Sequence, residues 1–155
     1  MTEHSQLWAE WLVRYQAGYF QNGILLDHFV SRDAVMPLAQ AFAANRNDQP
    51  LTQHQLRRFF QHSRLIEQNL KLRRRSWEES IADFRKLDIA AADGLSKTKE
   101  RRLNRLFHDF IRANVAAVTT EKDFRDGFIR HFEAVVGFGS GFYRENSSTP
   151  DRNFK

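Results

Sequence analysis

The apolar residues of this chain recur at steps of three and four positions, which is the spacing of one face of an α helix. The clearest run follows Thr52. This residue can cap a helix while Gln55 reaches back to its backbone N–H, and Pro50 prevents a helix upstream from continuing. The buried face of this run is predicted to comprise Leu56, Phe59, Phe60, Ser63, Ile66 and Leu70. We therefore predict a helix over residues 53–75, and this helix organises the rest of the chain.

Similar spacing predicts further helices on both sides of this one. They cover residues 5–19, residues 34–45, residues 76–94, a stretch from a cap at Ser96 or Thr98 to about Val118, and a last helix from Thr119 or Thr120 to the glycines of residues 137–141. Ser76 and Glu79 form a second capping box. Pro37 is expected in the first turn of its helix, where a missing N–H does no harm.

The predicted fold class is all-α, a single-domain bundle of about five helices with an extra N-terminal helix. No segment shows strand alternation bounded by hairpin turns, and residues 24–30 form a short apolar run whose type the pattern does not decide. We expect an aromatic helical extension over residues 1–23, a bundle over 24–145 and a disordered tail over 146–155. The N-terminal stripe of Trp8, Trp11, Leu12, Tyr15 and Tyr19 either covers the core or forms a docking surface, and core cover is the commoner role.

The polar faces of two predicted helices carry cations with few acids, whereas ordinary solvated faces mix both signs. The first line is Arg57, Gln61, Arg64, Gln68, Lys71 and Arg75. At 1.5 Å per residue it makes a ridge about 25 Å long, with no carboxylate in it. The second line, at the same spacing, is Arg101, Arg105, His108 and Arg112. Two such ridges indicate contact with nucleic-acid phosphates, and the pattern gives no sign of base reading.

Composition narrows the remaining chemistry. The net charge of +5 favours polyanionic partners, and the absence of Cys excludes disulfides, thiolate metal sites and a Cys nucleophile. The Glu and His residues lack the spacing of a metal pair, and the glycines of residues 137–141 do not form a phosphate-cradling loop. We predict no enzyme activity, no metal and no cofactor. We expect no secretory signal and no membrane span, and therefore a cytoplasmic protein.

Two segments carry a resemblance to a known family. The sequence LTQHQLRRFF, residues 51–60, resembles the Leu-Thr cap and basic-aromatic helix of the small subunit of type III-A CRISPR Csm effector complexes. The sequence HFEAVVGF, residues 131–138, resembles the close of that family, although Gly137 stands where the family has Ala. The resemblance covers about residues 34–143.

The resemblance implies a non-catalytic, RNA-binding helical subunit that holds target RNA paired to the CRISPR guide RNA, in an antiviral ribonucleoprotein. Its partners would be the backbone subunit, the large subunit and neighbouring copies of itself. Arg57 and Arg58 match the basic pair of the family's motif, and Arg64 matches a basic position further along the helix. The remaining candidates rest on the ridges alone: Lys71, Arg75, Arg101, Arg105 and Arg112.

Reversal of Arg57 and Arg64 to Glu is expected to weaken RNA binding and leave the fold intact. A protein-only helical adaptor and a DNA-binding regulator are the alternatives.

Overall fold

Six α helices and one short hairpin make up the fold in the computed structural model, which describes residues 3–44 and 47–143. The helices are α1 (Glu3–Ala17), α2 (Arg32–Ala43), α3 (Gln53–Lys71), α4 (Trp77–Leu95), α5 (Arg105–Ala117) and α6 (Ile129–Gly139). The hairpin pairs β1 (Phe20–Gln21) with β2 (Ile24–Leu25) in antiparallel register, with Phe20 opposite Leu25. The all-α prediction is confirmed. The predicted disordered tail lies outside the described residues.

The core is aromatic and lies where α5 and α6 face the other helices. Phe107, Phe110 and Phe132 are fully buried, and their ring centroids lie 5.6–6.3 Å apart. Around them, α4 packs against both α3 and α5, α6 packs against α2 and α3, and α1 packs against α5. Phenylalanine suits such a core because its large apolar surface has no polar tip that needs a partner.

The N-terminal aromatic stripe belongs to this core. Trp11, Tyr15 and Tyr19 are at most 2% exposed, and the Tyr19 hydroxyl donates to Asn114 Oδ1 at 2.7 Å. The interpretation of the stripe as core cover is therefore confirmed for these three side chains. The proposed division of the chain at residue 23 stays a prediction, but α1 shares its buried surface with the bundle.

The first helix begins and ends two residues earlier than predicted, and a hairpin follows it. α1 ends at Ala17, and Gly18 leaves the helix with a φ of +98°. Asn22 and Gly23, with φ of +54° and +78°, form the two-residue turn between β1 and β2. The sequence pattern leaves residues 24–30 undecided and shows no strand alternation here, because strands of two residues are too short to show it.

Two predicted helix starts were also wrong. α2 begins at Arg32, so Pro37 is its sixth residue and lies beyond the first turn, where it removes one backbone hydrogen bond. α5 begins after Asn104, whose Oδ1 accepts from the Phe107 N–H at 2.9 Å. Asn104 also donates to the carbonyl oxygen of Gln49 at 2.8 Å, a long-range contact that local sequence does not reveal. Neither Ser96 nor Thr98 caps α5, and Arg101 lies in a separate 3₁₀ turn, Lys99–Arg101.

The other predicted caps are confirmed. Thr52 and Gln55 exchange both hydrogen bonds of a capping box at the start of α3, and Ser76 and Glu79 do the same for α4. The last helical stretch begins at residue 121, ahead of α6, and there the hydroxyl of Thr120 accepts from the Asp123 N–H at 3.0 Å. Such caps satisfy backbone donors that have no partner within the helix.

A π-helical segment, Asp123–Phe128, leads directly into α6. It brings Gly127 against the ring of Tyr19 so closely that a Cβ atom at this glycine would lie 2.7 Å from Tyr19 Cγ. Only a residue without a side chain fits there. α6 ends at Gly139, within the glycine-rich stretch predicted to end it.

His131 is the one fully buried imidazole among the described residues. Its Nδ1 lies 2.7 Å from the carbonyl oxygen of Phe29, and its Nε2 lies 2.9 Å from the Tyr15 hydroxyl. Because a carbonyl oxygen only accepts, Nδ1 carries the proton and Nε2 accepts from Tyr15. Burial lowers the pKa of His131 to about 4, since the charged form would lose its hydration.

We predict that Gly127→Ala destabilises the fold by about 1–3 kcal/mol, because the added methyl group overlaps the ring of Tyr19. Gly137→Ala is the matched control. It lies in α6, which follows the π-helical segment directly, with nothing within 4 Å of the added Cβ, so it should stabilise by about 0.5–1 kcal/mol. Urea denaturation measures both. Equal effects of the two substitutions would contradict the close contact.

We also predict that stability falls as pH is lowered from about 6.5 to about 4. In this range His131 takes up a proton in the unfolded chain but stays neutral in the folded chain. Acid therefore favours unfolding by about 3 kcal/mol in total. The free energy of unfolding, measured against pH, should show a smaller slope in His131→Gln. Carboxylates titrate in both proteins and so cancel in the comparison. Identical slopes would show that His131 is not the titrating group.

Candidate nucleic-acid interface

All eight candidate residues are exposed, but the structure distributes them over several surfaces instead of two ridges. Five of them lie on α3 or in the turn after it. Arg57 and Arg58 are neighbours in sequence and so point about 100° apart around the helix axis. Arg58 faces α4, where it lines a groove with Lys86 and Ala90.

Arg64 is bound by carboxylates. Its Nη1 lies 3.1 Å from Glu67 Oε1 and 2.6 Å from Glu133 Oε2. Arg130 completes a four-residue cluster, at 2.9 Å from Glu67 Oε2 and 3.0 Å from Glu133 Oε1. We call Arg64, Glu67, Arg130 and Glu133 the ionic clamp, since it joins α3 to α6. The line itself contains no carboxylate, but Glu67 turns toward Arg64 and α6 brings Glu133 to it.

Arg58 and Arg101 share a concavity of about 640 Å³ at the N-terminal end of α3. The turn that carries Arg101 is held there by Gln55, whose Nε2 donates to the Arg101 carbonyl oxygen at 3.4 Å. Lys97 lines the same concavity, but Asp93 neutralises it at 3.1 Å. Arg101 therefore joins the α3 surface and not the α5 line on which the sequence placed it.

Lys71 and Arg75 lie at the opposite end of α3 in a second concavity, of about 670 Å³. α3 ends at Lys71, so Arg75 belongs to the turn before α4 and not to a helical ridge. Arg73 and Arg74 line the same concavity. The candidate set omitted these two arginines, although the run of three arginines in the sequence was the signal that points to them.

Arg105 and Arg112 remain on α5, where seven residues of separation place them on the same face. Arg112 lines a groove between α4 and α5 together with Arg85. An acid also lies beside this line, because His108 Nδ1 contacts Asp109 Oδ1 at 2.9 Å. The α5 surface is thus less purely cationic than the sequence suggested.

The charge distribution separates Arg64 from the other seven candidates. Within residues 3–44 and 47–143, none of those seven forms an ion pair with a carboxylate. In contrast, carboxylates lie within 3.3 Å of Lys86, Lys97, Arg125 and Arg130. The seven unpaired cations can therefore meet an external anion without first breaking an internal pair.

Two further kinds of site are absent from the described part of the chain. No group of three or more His, Asp or Glu side chains there could hold a metal ion. None of the helices there is long and apolar enough to cross a membrane.

Comparison with known proteins identifies the family. The model of a protein family described as Csm2 Type III-A matches residues 31–145, which is most of the chain. No curated protein and no solved structure matches. The chain belongs to the Csm2 family, and so it is a small subunit of the type III-A CRISPR complex. The resemblance seen in residues 51–60 and 131–138 is confirmed.

The ionic clamp leads to a prediction that differs from the sequence-based expectation. Arg64→Glu would place a third carboxylate beside Glu67 and Glu133, and Glu67 is nearly buried, with its side chain 8% exposed. We expect a loss of about 1–2 kcal/mol, below the cost of breaking a fully buried pair because Arg64 is 45% exposed.

Arg57→Glu is the matched control, with the same charge reversal two turns earlier on α3 and no ion pair to break. It should change the free energy of unfolding by less than about 0.5 kcal/mol. Thermal and urea denaturation of both variants measure the difference. If Arg64→Glu proves as harmless as Arg57→Glu, the clamp does not contribute to stability.

Proposed function

We propose that this Csm2 family member binds RNA in the type III-A complex and holds the guide–target pair through phosphate contacts. The observation that carries the proposal is that seven exposed candidate cations form no ion pair with a carboxylate among the described residues, whereas Lys86, Lys97, Arg125 and Arg130 do. The seven are Arg57, Arg58, Lys71, Arg75, Arg101, Arg105 and Arg112. Arg64 is removed from the set because its guanidinium already serves the ionic clamp.

The proposed mechanism is electrostatic. Each arginine or lysine neutralises a phosphate and releases a condensed counterion, so affinity depends on salt and not on base sequence. The planar guanidinium of arginine matches phosphate oxygens with two parallel hydrogen bonds. Six of the seven residues are arginines, which favours phosphate contact over a merely solvated surface.

The structure supports contact at both ends of α3 rather than along one continuous ridge. Arg58 and Lys71 are thirteen residues apart, about 20 Å at 1.5 Å per residue. Between them, exposed Gln61, Leu65 and Gln68 carry no charge, and the ionic clamp is internally neutral. An RNA strand along α3 would therefore be held at two points with a neutral stretch between them.

The remaining elements of the proposal follow from the family. Its partners are the guide RNA, the target RNA, the backbone and large subunits of the complex, and neighbouring copies of this chain. The subunit contributes no catalytic centre and needs no cofactor. It works in the cytoplasm, where the complex meets its RNA targets.

We predict that the double variant Arg57→Gln, Arg58→Gln binds a short labelled RNA more weakly. The slope of log K against log salt should decrease in magnitude by about 1.4, because each lost phosphate contact on a single strand contributes about 0.7. Fluorescence anisotropy at several salt concentrations measures this slope. The control is Lys122→Gln, Arg32→Gln, which removes the same charge elsewhere on the surface. Equal losses in both variants would contradict a localised interface.

A second measurement distinguishes RNA from a protein-only partner. A tagged chain recovered from its host should bring down short RNAs that begin in a repeat and run into a spacer, together with larger proteins. RNase treatment before capture should remove the RNA-dependent part of this binding. A chain that retains every partner after RNase treatment, and carries no RNA, is the adaptor that the sequence left open.

A further inference from the structure

The turn between α3 and α4 carries the densest positive charge of the described surface. Residues 71–75, here called the basic turn, contain one lysine and three arginines, and all five residues are exposed. No ion pair joins these four cations to a carboxylate within the described residues. Their four charges therefore repel one another unless an anion lies among them.

The backbone of the basic turn is tightly defined. The N–H of Arg73 donates to the Leu70 carbonyl at 3.1 Å, and the N–H of Arg74 donates to the Asn69 carbonyl at 2.9 Å. These two bonds form the Schellman motif that ends many helices. The motif places Arg73 in the left-handed region with a φ of +58°. Glycine is the usual residue at this position, because a side chain is disfavoured there.

An arginine in this conformation is an outlier that calls for a reason. Strained backbone positions persist where the surrounding structure fixes them, and they cluster at functional sites. Asn22, the other non-glycine residue with positive φ in the described chain, is of a type that tolerates this region. Arginine does not tolerate this region in the same way. The property that an arginine has and a glycine lacks at this position is its charged side chain.

The carboxylates beside the basic turn are already engaged. Glu79 Oε1 accepts from the Ser76 N–H at 2.8 Å, and Glu121 Oε2 accepts from Arg125 at 3.0 Å. Hydrogen bonds with Ser76 lower the pKa of Glu79, and the charge of Arg75 lowers it by a smaller amount. Glu79 thus serves mainly as the cap partner of α4, and the arginines keep their donors for an outside anion.

The lining of the concavity favours phosphate over peptide. Of its nine lining residues, Leu70 is the single apolar one, and Leu70 is itself buried. A peptide partner would need apolar anchors that fill pockets, and the lining of this concavity offers no exposed apolar side chain. A phosphate group needs charged donors that converge, and Arg73, Arg74 and Arg75 provide them around a volume of about 670 Å³.

We propose that the basic turn is a discrete phosphate-binding site for an RNA strand, and that left-handed Arg73 is the residue that completes it. The inference rests on the proposed function, since it names one place where this subunit would hold RNA. It adds Arg73 and Arg74 to the interface and makes the basic turn separable from the contact of Arg57 and Arg58.

The test uses one substitution whose two effects have opposite signs. Arg73→Gly removes a charge and relieves the left-handed backbone, so it should weaken RNA binding while raising the midpoint of thermal unfolding by about 2–4 °C. Asn22→Gly is the control with a positive φ and no charge, and it should leave RNA affinity unchanged. If the Arg73→Gly variant binds RNA as tightly as the parent chain, the proposal is overturned.

A second variant, Arg74→Gln, Arg75→Gln, keeps Arg73 and its backbone. Its salt slope for a short labelled RNA should decrease in magnitude by about 1.4. Modification of arginines by phenylglyoxal in the assembled complex gives a residue-specific readout, and RNA should protect Arg73 and Arg74. Arginines that react equally with and without RNA would also overturn the proposal.

The outcomes separate this inference from the function on which it rests. Loss of binding in Arg57→Gln, Arg58→Gln with no loss in the basic-turn variants refutes the phosphate site and leaves RNA binding standing. No loss in either variant, with no arginine protected in the complex, refutes both. Loss of RNA binding in the basic-turn variants, together with displacement of RNA from the parent chain by inorganic pyrophosphate, supports a phosphate site.

Discussion

The packing of aromatic side chains around α5 and α6 is the constraint on which the rest of this structure depends. Phe107, Phe110 and Phe132 form its centre, and α1 adds Trp11 and Tyr15 from one side. Because this core fixes the rotation of each helix about its axis, it also decides which polar residues meet a neighbour and which meet solvent. The distribution of charge on the surface is thus a consequence of the apolar interior.

Some surface cations are paired with carboxylates and others are not, and helix packing decides which. Where α3 faces α6, the core brings Glu67 and Glu133 to Arg64 and Arg130, and the four charges cancel. At the two ends of α3 no neighbouring helix supplies enough acid, and the charge stays uncompensated. The difference between a stabilising cluster and a candidate RNA contact is therefore set by helix packing and not by residue type.

Much of the fold could be predicted from sequence, because capping boxes and helical periodicity are local signals. Thr52 with Gln55 and Ser76 with Glu79 predicted the starts of α3 and α4 correctly. The start of α5 could not be predicted in this way, because Asn104 is fixed by the distant backbone of Gln49. The same limit applied to the interface: exposure of all eight cations was predictable, but the carboxylates around Arg64 come partly from a residue 69 positions away.

The hydrogen bonds of His131 have a consequence for the position of α1 along its own axis. Trp11, Tyr15 and Tyr19 recur every four residues, so apolar burial alone would tolerate a slip of one helical turn. Trp11 already stacks on the imidazole, with ring centroids 5.1 Å apart, and a slip that moved it to the position of Tyr15 would offer Nε2 an indole N–H in place of the hydroxyl. A slip the other way would bring up Tyr19, which lies beyond the break at Gly18. The buried polar pair therefore acts as a register mark, which selects one of several nearly equivalent apolar alignments.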